Sequence, residues 1–210
     1  MAAIANRCAR VTAAGILLTA TMAVTCQFIQ HTDPRFPLLY FTVDSAVLAA
    51  AVAAATLLRP QWRYLPALQA TSGVAVVVSA LVFAAVVAPA TSTGTWIQPH
   101  DDYWVRTATI LMHGVAPVLV SLGAPRLRLS RYIRYGYIWP VIYLVTLAAL
   151  AAVGWVEVPY PFLQPSRIGW VGVTATLAAL AATVAAVSGA LWAISTLLPT
   201  TDRDVTTTRT

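Results

Sequence analysis

Six uninterrupted apolar runs dominate the sequence, near residues 11–29, 38–58, 65–88, 104–123, 135–155 and 168–198. A helix needs about 20 apolar residues to cross a hydrocarbon core roughly 30 Å thick, and each run is long enough. Inside a bilayer no water satisfies backbone N–H and C=O groups, which leaves helices or a closed barrel. The runs are continuous rather than alternating apolar and polar, so a barrel is set aside. The chain therefore reads as an all-α, polytopic bundle of six transmembrane helices over residues 1–198. The sixth run exceeds what a bilayer requires and is expected to tilt or to project beyond it. Residues 199–210 are polar and read as a disordered cytoplasmic tail. No repeat or second domain is visible.

Charge sets the orientation. Charged residues make up 10% of the chain, against roughly a quarter in soluble domains. All 13 basic residues are arginine; with the abundant alanine, this reads as a codon bias toward G+C-rich DNA and points to a bacterium. Arg7, Arg10, Arg59, Arg63, Arg126, Arg128, Arg131, Arg134, Arg203 and Arg209 fall on one side of the six runs. Arg35, Arg106 and Arg167 fall on the other, beside Asp33, Asp101, Asp102 and Glu157. By the positive-inside rule this is a multi-pass plasma-membrane protein with both termini cytoplasmic. The arginines sit in short turns without interleaved aromatics, so membrane orientation explains the +6 net charge better than nucleic acid does. The first run is taken as a span rather than a cleaved signal, because no clear small-x-small site follows it. Trp96, Tyr103, Trp104, Tyr135, Trp139, Trp155, Tyr160 and Trp170 cluster near run ends, as an interfacial aromatic belt would.

Cofactors find little support. Cys8 and Cys26 lie at opposite ends of the first run, too far apart to pair, and neither CxxC nor HExxH occurs. A retinal Schiff base needs a lysine, and bis-histidine haem needs two histidines at depth, whereas His31 and His100 lie in loops. No cofactor or metal is expected.

An ionisable group at membrane depth costs about 2.5–3.5 kcal/mol on insertion scales and demands a reason. Asp44 and His113 are the two that stand out. Counting from the run starts, Thr42 lies roughly 6 Å deep, Asp44 roughly 9 Å and His113 roughly 9–14 Å. Thr42 and Ser45 share a helix face, while Asp44 points about 200° away from Thr42. Asp44 could orient His113, or pair with Arg106 or Arg35. Pro117 cannot donate to the carbonyl of His113, so the fourth helix is expected to kink there beside a polar cavity; Gly114 would let a neighbour or a ligand come close. Against a catalytic pair stands a plain alternative: membrane histidines bridge helices, and threonines bond back to their own helix. Ser188-Gly189 has the look of a rhomboid-type serine, but Ala186 replaces the expected glycine, and Gly–Ala helix packing explains the stretch better.

Several strings carry a family likeness. Tyr40-Phe41-Thr42 with Ser45, then Met112-His113-Gly114-Val115-Ala116-Pro117, Trp139-Pro140-Val141-Ile142-Tyr143 and Tyr160-Pro161-Phe162-Leu163 together resemble the bacterial branch of the androgen-induced protein family. That family includes the androgen-dependent TFPI-regulating proteins. The likeness runs from the second apolar run to the sixth. It implies a multi-span hydrolase of fatty-acid esters of hydroxy fatty acids or similar lipid esters, with Thr42 as nucleophile and His113 as base. One departure is Ala46, where bacterial relatives often carry asparagine after Thr-x-x-Ser. On this reading Ser45 or Tyr143 would donate to the oxyanion, and Arg35 and Arg106 would hold a substrate carboxylate at headgroup level. Membrane lipids and a lipid ester are the expected partners. A proton-coupled transporter using Asp44 and His113, or a non-catalytic membrane scaffold, are the rival readings.

Overall fold

A computed structural model describes residues 2–33 and 35–197. Six helices are long and apolar enough to cross a membrane: α1 (Ala2–Ile29), α2 (Phe41–Leu58), α3 (Leu65–Val87), α4 (Tyr103–Leu122), α5 (Leu129–Ala152) and α6 (Pro165–Leu197). No strand occurs among the described residues. This is an all-helical multi-pass membrane protein. The tail expected over residues 199–210, with Arg203 and Arg209, lies outside the described residues.

The helix bounds depart from the apolar runs in two informative places. Leu129 opens α5 six residues before the run at 135, so Arg131 and Arg134 belong to the helix rather than to a turn. An arginine stem is apolar and long enough to carry its charge away from an apolar slab, so polarity does not stop helix growth there. At the other end of the bundle α2 begins at Phe41, not 38, because Pro37–Leu39 form a separate 3-10 turn.

Helix α3 is the central stave, packed by α2, α4, α5 and α6, while α1 packs on α2 and α4. One core cluster joins Ala70, Val74 and Val78 of α3 to Tyr132 of α5 and to Val184, Val187 and Leu191 of α6. A second joins Ala20 and Ala23 of α1 to Val43, Ala46 and Met112. The third holds Ala49, Val76, Ala116 and Val120. The first run is thus an integral part of the bundle. The bundle has an arginine-rich end and an acidic end, the latter formed by the loops after α1, α3 and α5. Leu18, Val145 and Val171, exposed by 63–86%, are outward-facing apolar residues suited to lipid, which is as apolar as they are.

Candidate functional site

A cavity of about 960 Å³ occupies the acidic half, within the size range of ligand sites, roughly 300–1,000 Å³. Its floor is Val78 and Val184, which belong to the packed core. Above that floor, every transmembrane helix contributes to the wall, and loops 30–40 and 88–102 with the Pro161–Leu163 turn close over it.

Two interruptions of regular helix make this space. Leu111–Val115 of α4 is a π turn in which the Ala116 N–H reaches back to the Leu111 carbonyl, and Phe83–Val87 of α3 is another. Such turns insert one extra residue and re-aim side chains. The irregularity near Pro117 is a π turn rather than the expected kink, and the cavity beside it is mostly apolar rather than polar; Pro117 lies in the first turn of the helical segment that follows. Each π turn sends one ring to the same place. The His113 imidazole lies flat on the Phe83 ring, with centroids 3.8 Å apart and planes within 4°. Trp96, from the 88–102 loop, meets both rings edge-on, at 5.7 Å from Phe83 and 6.4 Å from His113. Nδ1 of His113 is buried without a hydrogen-bond partner.

Thr42 faces the same cavity. Helices α2 and α4 are neighbours there: Met112, the residue before His113, packs in one cluster with Val43 and Ala46. Thr42 is the second residue of that helix and not the deeper position that a start at 38 implied. No direct hydrogen bond joins the two side chains among the described residues. The Phe41 N–H donates to the Tyr160 hydroxyl (2.9 Å), and Val43 and Asp44 both donate to the Tyr40 carbonyl. The Thr42 N–H remains as the orphan donor of the first turn.

The other candidate residues fall into two groups. Tyr143 lines the cavity with its ring 5.1 Å from Phe41, but its hydroxyl donates to the Leu39 carbonyl (2.7 Å), so that proton is committed to holding the 3-10 turn. Arg35 lines the mouth, donating to the Tyr40 hydroxyl (3.2 Å) beside Asp33 at 3.9 Å. Asp44, Ser45, Arg106 and Pro117 do not line the cavity. A carboxylate at Asp44, in the first turn of α2, suits the positive end of the helix dipole. It pairs with neither Arg35 nor Arg106: Arg35–Asp33 is the one ion pair among the described residues. Ser45 is fully buried, and its hydroxyl has no partner. Arg106 donates to the carbonyls of Asp101 (2.9 Å) and Pro99 (3.2 Å), pinning its own loop. Gly114 makes no close approach, since a Cβ built there meets nothing within 4 Å.

Sequence reasoning missed Phe83, Trp96, Gln98 and Tyr160. Trp96 and Tyr160 sat among the aromatics assigned to the interfacial belt, while Phe83 sat inside an apolar run that offered no signal. Gln98 is buried and organises the 88–102 loop: its amide donates to Thr91 Oγ1 (2.9 Å) and the Thr95 carbonyl (2.8 Å), and it accepts from Thr93 (3.0 Å). At the mouth the Tyr40 hydroxyl donates to Asp33 (2.5 Å). Burial, then that bond, push this hydroxyl above the usual tyrosine range, and burial raises Tyr160 likewise. Hydrogen bonding to Tyr40 raises the Arg35 guanidinium further, which keeps it charged. No group of three His, Cys, Asp or Glu side chains among the described residues is placed to hold a metal ion.

The arrangement offers a hydroxyl, a neutral-capable imidazole and an orphan N–H around an apolar space with a polar rim. The chain matches no protein-family profile, no curated protein and no solved structure.

Proposed function

We propose that this protein is an intramembrane hydrolase of lipid esters, with Thr42 as nucleophile and His113 as general base. One observation carries the reading: a threonine hydroxyl and an imidazole line a single, mostly apolar cavity within a bundle of membrane-spanning helices, neither engaged in a hydrogen bond among the described residues. Membrane threonines usually bond back to their own helix, as Thr107 and Thr174 do here; a start at Phe41 leaves Thr42 no helical carbonyl four residues before it.

The steps follow from the chemistry. His113 takes the Thr42 proton, directly or through one water, as Oγ1 attacks the ester carbonyl. The oxyanion that forms is met by the Thr42 N–H and by the positive end of the α2 dipole. Ser45 does not line the cavity, and the Tyr143 proton is committed to the Leu39 carbonyl, so neither takes that role. Protonated His113 returns its proton to the leaving alcohol, and water then releases the acid from the acyl-threonine by the same route. Phe83 and Trp96 fix the plane of the imidazole. The likeness of the Phe-Thr, His-Gly and Tyr-Pro-Phe-Leu strings to the androgen-induced protein family points the same way. Arg35, at the rim, would meet an anionic end of the substrate, and the acidic end of the bundle would face the outside of a bacterial plasma membrane.

The test is hydrolysis of branched fatty-acid esters by purified protein in liposomes. Thr42→Ala and His113→Ala should each lower turnover by about 10²–10⁴-fold, the range of general acid–base contributions. Equal rates for wild type and both variants would remove the proposal.

A further inference from the structure

Exposed residues of two different chemistries line the cavity. Arg35 and His100 line it and are exposed among the polar loops. Val86, 43% exposed, and Ile168, 40% exposed, also line it, but from α3 and α6. Both are aliphatic residues of membrane-spanning helices, so the exposed part of each suits lipid rather than water. The backbone prepares this edge: Gly169 adopts φ +67° inside α6, and the Ile168 side chain folds over Gly172, within 3.1 Å of where a Cβ would stand. Helix α6 packs on α4 through Ala116–Leu122, at the arginine-rich end.

The same helix returns to the cavity at greater depth. Leu180 and then Val184 line the cavity. Leu180 lies twelve residues beyond Ile168, about 18 Å along the helix. That matches the depth of one leaflet of a core roughly 30 Å thick.

We propose that the cavity binds one acyl chain of an amphiphile drawn sideways from the leaflet at the acidic end. The chain enters between Val86 and Ile168 and lies along Leu180, with its polar end toward Arg35. The occupant is a lipid chain because the exposed lining residues on this side, Val86 and Ile168, are aliphatic and the cavity wall is mostly apolar. Water-soluble ligands would use the Arg35–His100 side. The proposal rests on the hydrolase reading for the identity of the cavity, but binding does not require turnover.

The experiment photolabels the full-length protein in nanodiscs with a long-chain fatty acid carrying a diazirine on its chain. Labels are mapped by peptide mass spectrometry, with excess unlabelled fatty acid as competitor. Competed labels should concentrate on the segments holding Val86 and residues 168–184. Leu180→Trp should reduce them about tenfold, an occupancy change worth about 1.4 kcal/mol. Val86→Trp, at an exposed position that leaves the core intact, should also reduce them, and Val145→Trp on the outer face of α5 should not. Labels spread evenly over all lipid-facing helices and insensitive to both variants would overturn the proposal, as would competed labels confined to the Arg35 and His100 loops. Expected labelling by a protein that hydrolyses no ester would leave the chain site standing and remove the hydrolase reading. Wild-type turnover by Leu180→Trp without competed cavity labels would do the reverse.

Discussion

The two halves of this bundle are built from the same helices by opposite means. Toward the arginine-rich end the helices are regular and touch closely. Gly136 of α5 sits where an added Cβ would be 2.4 Å from Ser188 Oγ and 3.2 Å from Val74, and Tyr132 is completely buried nearby. Toward the acidic end α3 and α4 each carry a π turn, α5 carries Pro140 on the cavity wall, and α6 breaks at Gly169. Close packing needs small residues and unbroken helix; a cavity needs the reverse. The tight half therefore acts as a clamp that lets the loose half hold empty space, and any reactive chemistry belongs to the loose half. Because the floor at Val78 and Val184 is part of the clamp, the cavity reads as a blind pocket, which favours a lipid site over a transport path.

The sharpest way to break this contrast is to add one methyl group to each half. Gly136→Ala drives a carbon into Ser188 and Val74 and should destabilise the protein by about 1–3 kcal/mol, as overpacking does. Ser188→Ala in the same chain should restore part of that loss. Gly114→Ala meets open space and should be neutral, or stabilising by up to about 1 kcal/mol through helix propensity. Denaturant unfolding in detergent micelles, followed by circular dichroism, reads both. Equal costs at the two glycines would mean that the halves are packed alike.

A second contrast uses one chemical change with opposite signs. The Tyr132 hydroxyl is buried in the clamp without a partner. Tyr132→Phe removes an unsatisfied polar atom and should leave stability unchanged or raise it by about 1 kcal/mol. The Tyr143 hydroxyl, in the cavity wall, makes a 2.7 Å bond to the Leu39 carbonyl. Tyr143→Phe should cost about 1 kcal/mol and loosen the turn that precedes Thr42. Unfolding midpoints that move the same way in both variants would contradict this assignment.

What the sequence made legible follows the same division. The six spans were readable because hydrophobic length is a property of each run alone. The opposed directions of Thr42 and Asp44 followed from helix periodicity, and Pro117 pointed to the distorted turn at His113. The rest depended on partners. Nothing in Phe83-Ala84-Ala85-Val86-Val87 marks a π turn, because neither proline nor glycine produces it. Trp96 and Tyr160 had a sufficient explanation as interfacial aromatics, and only the fold shows one against His113 and the other capping α2. Gly189, next to the serine that drew attention, faces open space, while Gly136, some fifty positions away, is the residue that Ser188 touches. Asp44 looked deep because the run began at 38; the intervening 3-10 turn moved it to the first turn of its helix.

The smallest expected effect concerns the roof of the cavity, where exposed hydrogen bonds replace buried packing. Asp102 caps α4 by accepting from the Val105 N–H (2.9 Å). It also accepts from the His31 N–H (2.8 Å) and donates its own N–H to Thr32 (3.1 Å), clipping two loops together. The His31 amide, then the Val105 amide, hold the Asp102 carboxyl below its usual range. A depressed carboxylate adds stability that is complete above its unfolded pKa, about 3.9, and is lost as the pH falls through the lower folded value. Amide exchange at His31 and Val105, corrected for intrinsic rates, should therefore stay protected from neutral pH down to about 4 and rise only in stronger acid. Asp102→Asn should expose the His31 amide at neutral pH and flatten that acid response, while leaving the protection of Tyr132 and its neighbours unchanged. Protection lost between pH 5 and 7, or a loss that spreads into the clamp, would show that the roof and the packed half are one cooperative unit.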